Sequence, residues 1–256
     1  MFFPDLRNKI AIVTGASRRQ GIGAAICRAL VAQGVHLLFT TWQPFDSSQP
    51  HGIDMDGPQA LLDELHTAGV QAVHFAVDLS DPAAPQHVLD TIATQLGEPS
   101  ILVNNAAYSV RTSYDHLTAA LLDAHYAVNL RATALLSVGF ASRFSSRSGG
   151  RIINLTSGQS LGAMPNELAY AATKGAIEAL TRTLAVEVAD RGITVNAIDP
   201  GATDTGWMTD ALQHELLSSM RMGRLGQPED AARLIVFLAS EAGAWITGQI
   251  LHSRGA

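Results

Sequence analysis

Ile10-Ala11-Ile12-Val13-Thr14-Gly15-Ala16-Ser17-Arg18-Arg19-Gln20-Gly21-Ile22-Gly23 is the stretch on which the reading of this chain turns. An apolar, β-branched run passes into glycines, and a helix-forming stretch to Gln33 follows, with Gly34 as its C-cap. Glycines at such a junction permit a tight turn and let a phosphate approach the backbone. The helix start beyond them offers free N–H groups and the positive end of its dipole. The spacing is Gly-x5-Gly-x-Gly, not Gly-x-Gly-x-x-Gly. A lone glycine-rich turn is often only a tight connection. A strand before it and a helix after it favour a nucleotide phosphate site.

Working outward, further short β-rich runs alternate with helical patterns. Strands are predicted at Val35–Thr40, Ala72–Val77, Ile101–Val103, Arg151–Leu155, Thr194–Ile198 and near Ile250-Leu251. Most are continuous apolar runs, the pattern of strands buried on both faces of a parallel sheet. Alternation with helices predicts a single-domain α/β fold over residues 1–256, a Rossmann-like doubly wound parallel sheet of about seven strands with helices on both faces. Two long helices are predicted, a bent one over Thr118–Phe144 and another over Leu168–Ala189. In the second, Ile177, Leu180, Leu184 and Val188 form an apolar stripe that packs on the sheet, and Ala171, Ala172, Ala176 and Ala179 permit close approach of another helix. Thr41–Pro58, with Pro44, Pro50, Gly52 and Gly57, reads as a long loop leaving the end of the second strand.

The 256 residues are 47% apolar and only 16% charged, with a net charge of −6. A surface covered by another subunit and an alanine-rich body with a large core both account for the low charge. The negative balance argues against nucleic-acid binding. Cys27 is the only cysteine and lies among Ala and Ile, so it reads as core. The start lacks the pattern of a signal peptide, and no uncharged apolar stretch reaches the ~18 residues a membrane span needs. These features predict a cytoplasmic protein without a membrane partner. Asn154-Leu155-Thr156 matches a glycosylation acceptor but falls in a predicted strand.

The chemistry-bearing residues are Ser157, Tyr170 and Lys174. Tyr-Ala-Ala-Thr-Lys in a helix puts Tyr170 and Lys174 on one face. A free phenol has a pKa near ~10, and a neighbouring cation lowers it. The pair therefore reads as a phenol tuned to exchange a proton with a substrate oxygen. Isolated Tyr-x-x-x-Lys matches are mostly surface helix chemistry; the weight here comes from the rest of the chain. For the nucleotide, the second strand ends at Thr40-Thr41-Trp42 without an acid to hold a ribose 2′-hydroxyl, Asp46 being the first, while Arg18 and Arg19 lie in the glycine loop. This favours NADP(H) over NAD(H), although arginines at a loop tip are also simply solvated.

At this point the chain resembles the short-chain dehydrogenase/reductases over nearly its whole length. The glycine loop is similar to that family's Thr-Gly-x3-Gly-x-Gly with two residues inserted. The resemblance implies cofactor contacts from Gly15, Ser17, Arg18, Arg19, Gly21, Ile22 and Gly23, from Thr41, and from Asp78 and Leu79 at the adenine. It implies others from Asn105 and Ala106 in Asn-Asn-Ala-Ala, and from Pro200, Gly201, Thr203 and Thr205 around the nicotinamide. Asn129, Ser157, Tyr170 and Lys174 match the catalytic tetrad, Asn129 positioning a relay water and Lys174 also holding the nicotinamide ribose. Ala107 stands where the family has glycine. The nearest subgroup by look is the 3-oxoacyl-[acyl-carrier-protein] reductases, which carry a basic residue at the position of Arg191. The resemblance also implies a homotetramer.

The expected reaction is hydride transfer between NADP(H) and a small-molecule ketone or acyl thioester. The alternative is a non-catalytic NADP(H)-binding regulator or scaffold, which has no need of Ser157, Tyr170 and Lys174. The histidines form no His-x-His or His-Glu-x-x-His cluster, and Ser157 lacks a Gly-x-Ser-x-Gly elbow, which speaks against a metal site and against a serine hydrolase. Met164, Trp207, Met208 and Leu212 either roof an apolar substrate pocket or pack a helix on the core.

Overall fold

A computed structural model describes residues 2–49 and 52–255. Seven strands are β1 (Ile10–Val13), β2 (His36–Thr41), β3 (Ala72–Ala76), β4 (Ile101–Asn104), β5 (Gly150–Leu155), β6 (Ile193–Asp199) and β7 (Ile250–His252). They form one sheet in the order β3-β2-β1-β4-β5-β6-β7, every neighbouring pair parallel. Each strand lies within two residues of its predicted bounds. The chain winds outward from β1 through β2 to β3, then crosses back to β4 and winds the other way. β1 and β4 are therefore neighbours whose connections leave in opposite directions, and the crevice at their C-terminal ends is the place where such sheets bind ligands.

The continuous apolar runs are explained by two separate cores. Ala11, Val13, Leu37, Phe39, Ile101, Val103, Ile153 and Leu155 face α1 (Ile22–Val31), α3 (Gly57–Thr67) and α9 (Pro228–Ala239). Ile12, Leu38, Leu102, Ile152 and Val195 face α4 (Ala84–Gln95), α6 (Thr133–Arg143) and α7 (Leu168–Glu187). Successive strand residues point to opposite faces, so a strand covered on both sides must be apolar at every position. Cys27 is wholly inside the first core, where burial pushes its thiol pKa up. Asn154 is fully buried and hydrogen-bonded to Thr181 and Asn104, so it is no glycan acceptor.

Two sequence expectations need correction. Thr41–Pro58 is not all loop: α2 spans Gln43–Ser47, and α3 already begins at Gly57. Five residues are too few to show a helical period, and Pro44 fits a first turn, where no backbone N–H is required; Pro50 lies outside the described residues. The long helix predicted over Thr118–Phe144 is present as one unbroken helical run, α5 (Ala119–His125) passing through a π-helical stretch over Tyr126–Ala132 into α6. Thr118 does cap its start, its hydroxyl accepting from the Leu121 N–H at 3.2 Å. On α7, Ile177, Leu184 and Val188 are buried as expected, but Leu180 is only half-buried. No helix among the described residues is long and apolar enough to cross a membrane.

Candidate functional site

The glycine loop is held from behind by the turn after β4. Asn105 Nδ2 donates to the carbonyls of Thr14 and Gly15, both at 2.8 Å, and the N–H groups of Asn105 and Ala106 donate to Thr14 Oγ1, both at 3.0 Å. The two turns are packed so closely that side chains are excluded. A Cβ on Gly15, whose φ is +76°, would lie 2.6 Å from Ala106 Cα, and one on Gly23 would lie 2.2 Å from the Gly15 carbonyl oxygen. Gly21 is the N-cap of α1 and offers no capping side chain, so the first-turn N–H groups stay open to an anion.

These turns form one wall of a groove of ≈ 540 Å³. Gly15, Ser17, Arg18, Gly21, Ile22 and Gly23 line it from the loop and α1, Thr41 from β2, Asp78 and Leu79 from beyond β3. Asn105, Ala106 and Thr205 close it. Pro200, Gly201 and Thr203 stand outside this lining, in the turn after β6. There Gly201 has φ +68°, and Thr203 Oγ1 donates to the Pro200 carbonyl at 3.1 Å.

The two arginines part company. The Arg18 guanidinium lines the groove, donates to the Thr205 carbonyl and lies in the field of Asp46 and Asp54. Arg19 lies off the groove: its N–H and Nε both bond Asp54 Oδ2, at 3.2 and 3.1 Å. The residues after β2 are a strap over the groove, at the end of the second strand where the sequence placed a long segment beside the adenosine. The Trp42 N–H donates to Ser17 Oγ at 3.0 Å, and Phe45 packs on Tyr108 with ring centroids 5.0 Å apart. Buried Asp46 also lines the groove, so an acid does stand at this end after all. No local pattern marks such a strap; the one legible sign was its length beside the two-residue insertion that carries Arg19.

The catalytic candidates gather farther along the same edge of the sheet. Ser157 stands two residues beyond β5, and α7 lays Tyr170 and Lys174 beside it. The Ser157 side chain stands beside the Tyr170 phenol and acts to lower its pKa. Lys174 is buried, its Nζ donating to the Leu155 carbonyl at 2.7 Å and lying 5.5 Å from the centroid of the Tyr170 ring. The expected lowering of the phenol is corrected here. Burial pushes Tyr170 up to about 12, against the lowering effect of Ser157, and the charges of Glu167 and Asp199 push the same way as burial. Burial also brings the Lys174 ammonium down to about 8. The lysine faces the ring and the Leu155 carbonyl, which explains why it does not hold the phenol down.

Asn129 sits in the π-helical stretch, a deformation that recurs at functional sites. Its amide is fully engaged: Nδ2 donates to the Tyr108 carbonyl at 2.9 Å and Thr173 Oγ1 at 3.0 Å, while Oδ1 accepts from the Tyr108 N–H at 2.7 Å. It thus ties the turn after β4 to α7. Of the expected pocket roof, Met208 is buried, while Trp207 is half-exposed with its indole N–H on the Thr203 carbonyl at 3.2 Å. Arg191 lies just before β6, at the opposite edge of the sheet, its guanidinium on the Phe144 carbonyl at 2.8 Å.

Comparison with known proteins accords with this architecture. A family model described as Enoyl-(Acyl carrier protein) reductase matches residues 15–255. The chain is 36% identical over 261 residues to the 3-oxoacyl-[acyl-carrier-protein] reductase FabG of Escherichia coli (strain K12), covering 98% of each. A short-chain dehydrogenase from Burkholderia cenocepacia J2315, solved in complex with NADP, superposes with a TM-score of 0.87 at 34% identity and 98% coverage of both chains. This chain belongs to the short-chain dehydrogenase/reductase family.

Within that family, this short-chain dehydrogenase/reductase is 51% identical over 251 residues to an uncharacterized oxidoreductase, YjdA, of Bacillus subtilis (strain 168), covering 97% of the chain and 96% of the relative. A blue fluorescent protein from a metagenomic library, solved in complex with NADPH, has the same fold at a TM-score of 0.88 and 32% identity. The short-chain dehydrogenase/reductase is accordingly an oxidoreductase whose relatives include proteins crystallised with NADP or NADPH.

Proposed function

We propose that the protein is an NADP(H)-dependent reductase that converts a ketone, a 3-oxoacyl thioester among the candidates, to a secondary alcohol. The observation that carries this reading is the Tyr170 phenol beside Ser157, with Lys174 Nζ 5.5 Å from the centroid of its ring, on the same rim of the sheet as the groove. The groove suits a dinucleotide: uncapped helix N–H groups and a cation serve phosphates, and the missing side chains of Gly15 and Gly23 allow the close turn beneath them.

The glycine loop would hold the pyrophosphate, Asp78 and Leu79 the adenine, and Arg18 the 2′-phosphate. Asn105 and Ala106 would support the loop, and Pro200, Gly201, Thr203 and Thr205 would frame the nicotinamide, with Lys174 on its ribose. The bound cofactor supplies or accepts the hydride. Tyr170 then gives its proton to the carbonyl oxygen in reduction and takes it back in oxidation. A phenol held near 12 stays protonated at neutral pH, as an acid must. Ser157 donates a hydrogen bond to the same oxygen and steadies the charge that grows there. Asn129 supports Tyr170 by fixing the turn after β4 against α7. Exposed Leu135 and Val138 on α6 and Val186 on α7 give apolar surface for a homo-oligomer.

NADPH oxidation measured with acetoacetyl thioesters, aryl ketones and aliphatic ketones, and repeated with NADH, tests the reading. Turnover with at least one ketone class is expected. Tight NADPH binding without turnover across the panel would instead favour a regulator or scaffold. In the same assays Arg18→Ala is expected to raise the KM for NADPH about tenfold or more, the worth of a charge-assisted hydrogen bond, with the NADH value changed less than about threefold. Equal losses for both cofactors would confine Arg18 to anchoring the Thr205 backbone.

A further inference from the structure

The C-terminal residues enter the catalytic edge through a buried acid. Asp199, the last residue of β6, is 1% exposed. Its Oδ1 accepts from the Gly201 N–H at 2.9 Å, while Oδ2 is bonded by Arg254 Nη1 at 2.9 Å and His252 Nδ1 at 3.0 Å. The Arg254 side chain fills the space that two glycines leave. Its Nη1 lies 2.3 Å from the position of a Cβ on Gly158, and its Cγ lies 2.9 Å from that on Gly201. Gly158 follows Ser157 directly, and Gly201 opens the turn that carries Thr203.

We infer that Arg254 is a positioning residue of the active site: held by Asp199, it braces the Ser157–Gly158 turn against the Gly201 turn. This rests on the proposed role of Tyr170 as the acid and base. The groups facing Tyr170 are Ser157 and Asp199 from the ends of β5 and β6, and Glu167 and Lys174 from α7 and its N-cap. Arg111 pairs with Glu167 at 3.2 Å. On the other side of Asp199 stand the Arg254 guanidinium and the His252 imidazole, both partly exposed. An anion near a phenol disfavours the phenolate, and a cation on that anion weakens the effect. Loss of Arg254 should raise the Tyr170 titration, and loss of the Asp199 charge should lower it.

The test replaces the four tyrosines with 3-fluorotyrosine and follows the 19F signal of Tyr170 with pH in the full chain with NADP+, Tyr170→Phe assigning the resonance. Arg254→Gln is expected to shift the midpoint up by about half a unit or more, and Asp199→Asn to shift it down by a similar amount. Arg254→Lys should return it to within about 0.2 unit of the parent. In turnover, Arg254→Gln should lower kcat about tenfold, with the NADPH KM changed less than about twofold, and Arg254→Lys should recover most of the loss. Shifts of the same sign in Gln and Asn variants, or none, would overturn the inference. Should Asp199→Asn fail to fold, the contrast between Arg254→Gln and Arg254→Lys decides alone. The 19F titration needs no turnover. Shifts as stated in a protein that reduces no ketone would therefore reject the proposed function and keep the Asp199–Arg254 pairing to Tyr170.

Discussion

Tyr170→Phe is expected to lower kcat for NADPH-dependent ketone reduction by about 10³-fold, within the range of positioned acid–base groups, while the Kd for NADPH changes less than about twofold. The substitution removes one oxygen and keeps the ring, so the packing over Lys174 Nζ survives. The lost atom is the hydroxyl beside Ser157 and the one group that the proposal has transfer its proton to the substrate oxygen. Stopped-flow reduction and a fluorescence titration of NADPH separate the two quantities. Retained turnover would remove the phenol from the chemistry. Ser157 with an ordered water would then be left as the donor.

Gly23→Ala is expected to be the most damaging small substitution in the cofactor half. Its new methyl would lie 2.2 Å from the Gly15 carbonyl oxygen and 2.8 Å from Asn105 Nδ2. Both neighbours are fixed to one another, since Asn105 Nδ2 donates to that same carbonyl at 2.8 Å. Relief therefore needs backbone movement rather than a rotamer change. Overpacking of this kind costs about 1–3 kcal/mol, which for a chain of this size lowers Tm by roughly 3–10 °C. The displaced loop should also weaken NADPH binding by about 100-fold or more. Gly175→Ala is the control: it lies in α7 with nothing within 4 Å of its added Cβ. There the helix gains about 0.5–1 kcal/mol from the lower entropy of alanine. A Gly23→Ala protein with the parent's Tm and cofactor affinity would show that the two turns can part without loss.

The strands were legible because a doubly covered sheet admits few polar residues, and the helices because their caps and stripes are local. Ile12 and Leu38 could be assigned to strands from their neighbours alone, although they pack on a different core from Val13 and Phe39. Tyr170 and Lys174 were legible as a pair by type and spacing, whereas Asn129 was singled out only by the family resemblance. What escaped the sequence depended on distant pairings. Asp54 meets Arg19 across 35 positions, and Arg254 meets Asp199 across 55. The direction of the Tyr170 shift escaped for another reason. Spacing places Lys174 on the right face, but it does not show that the ammonium is turned to the Leu155 carbonyl and that burial outweighs it.

All parallel strands deliver their C-terminal ends to one rim, and every residue assigned chemistry here hangs from that rim or from the first turns beyond it. The interior can therefore stay constant while rim segments are exchanged singly, as the strap after β2 and the lengthened glycine turn illustrate. Kinship across 98% of two chains is mostly kinship of chassis. On the proposed reading, the choice of ketone is set by the rim residues, and grafting them onto a relative would carry the selectivity with them.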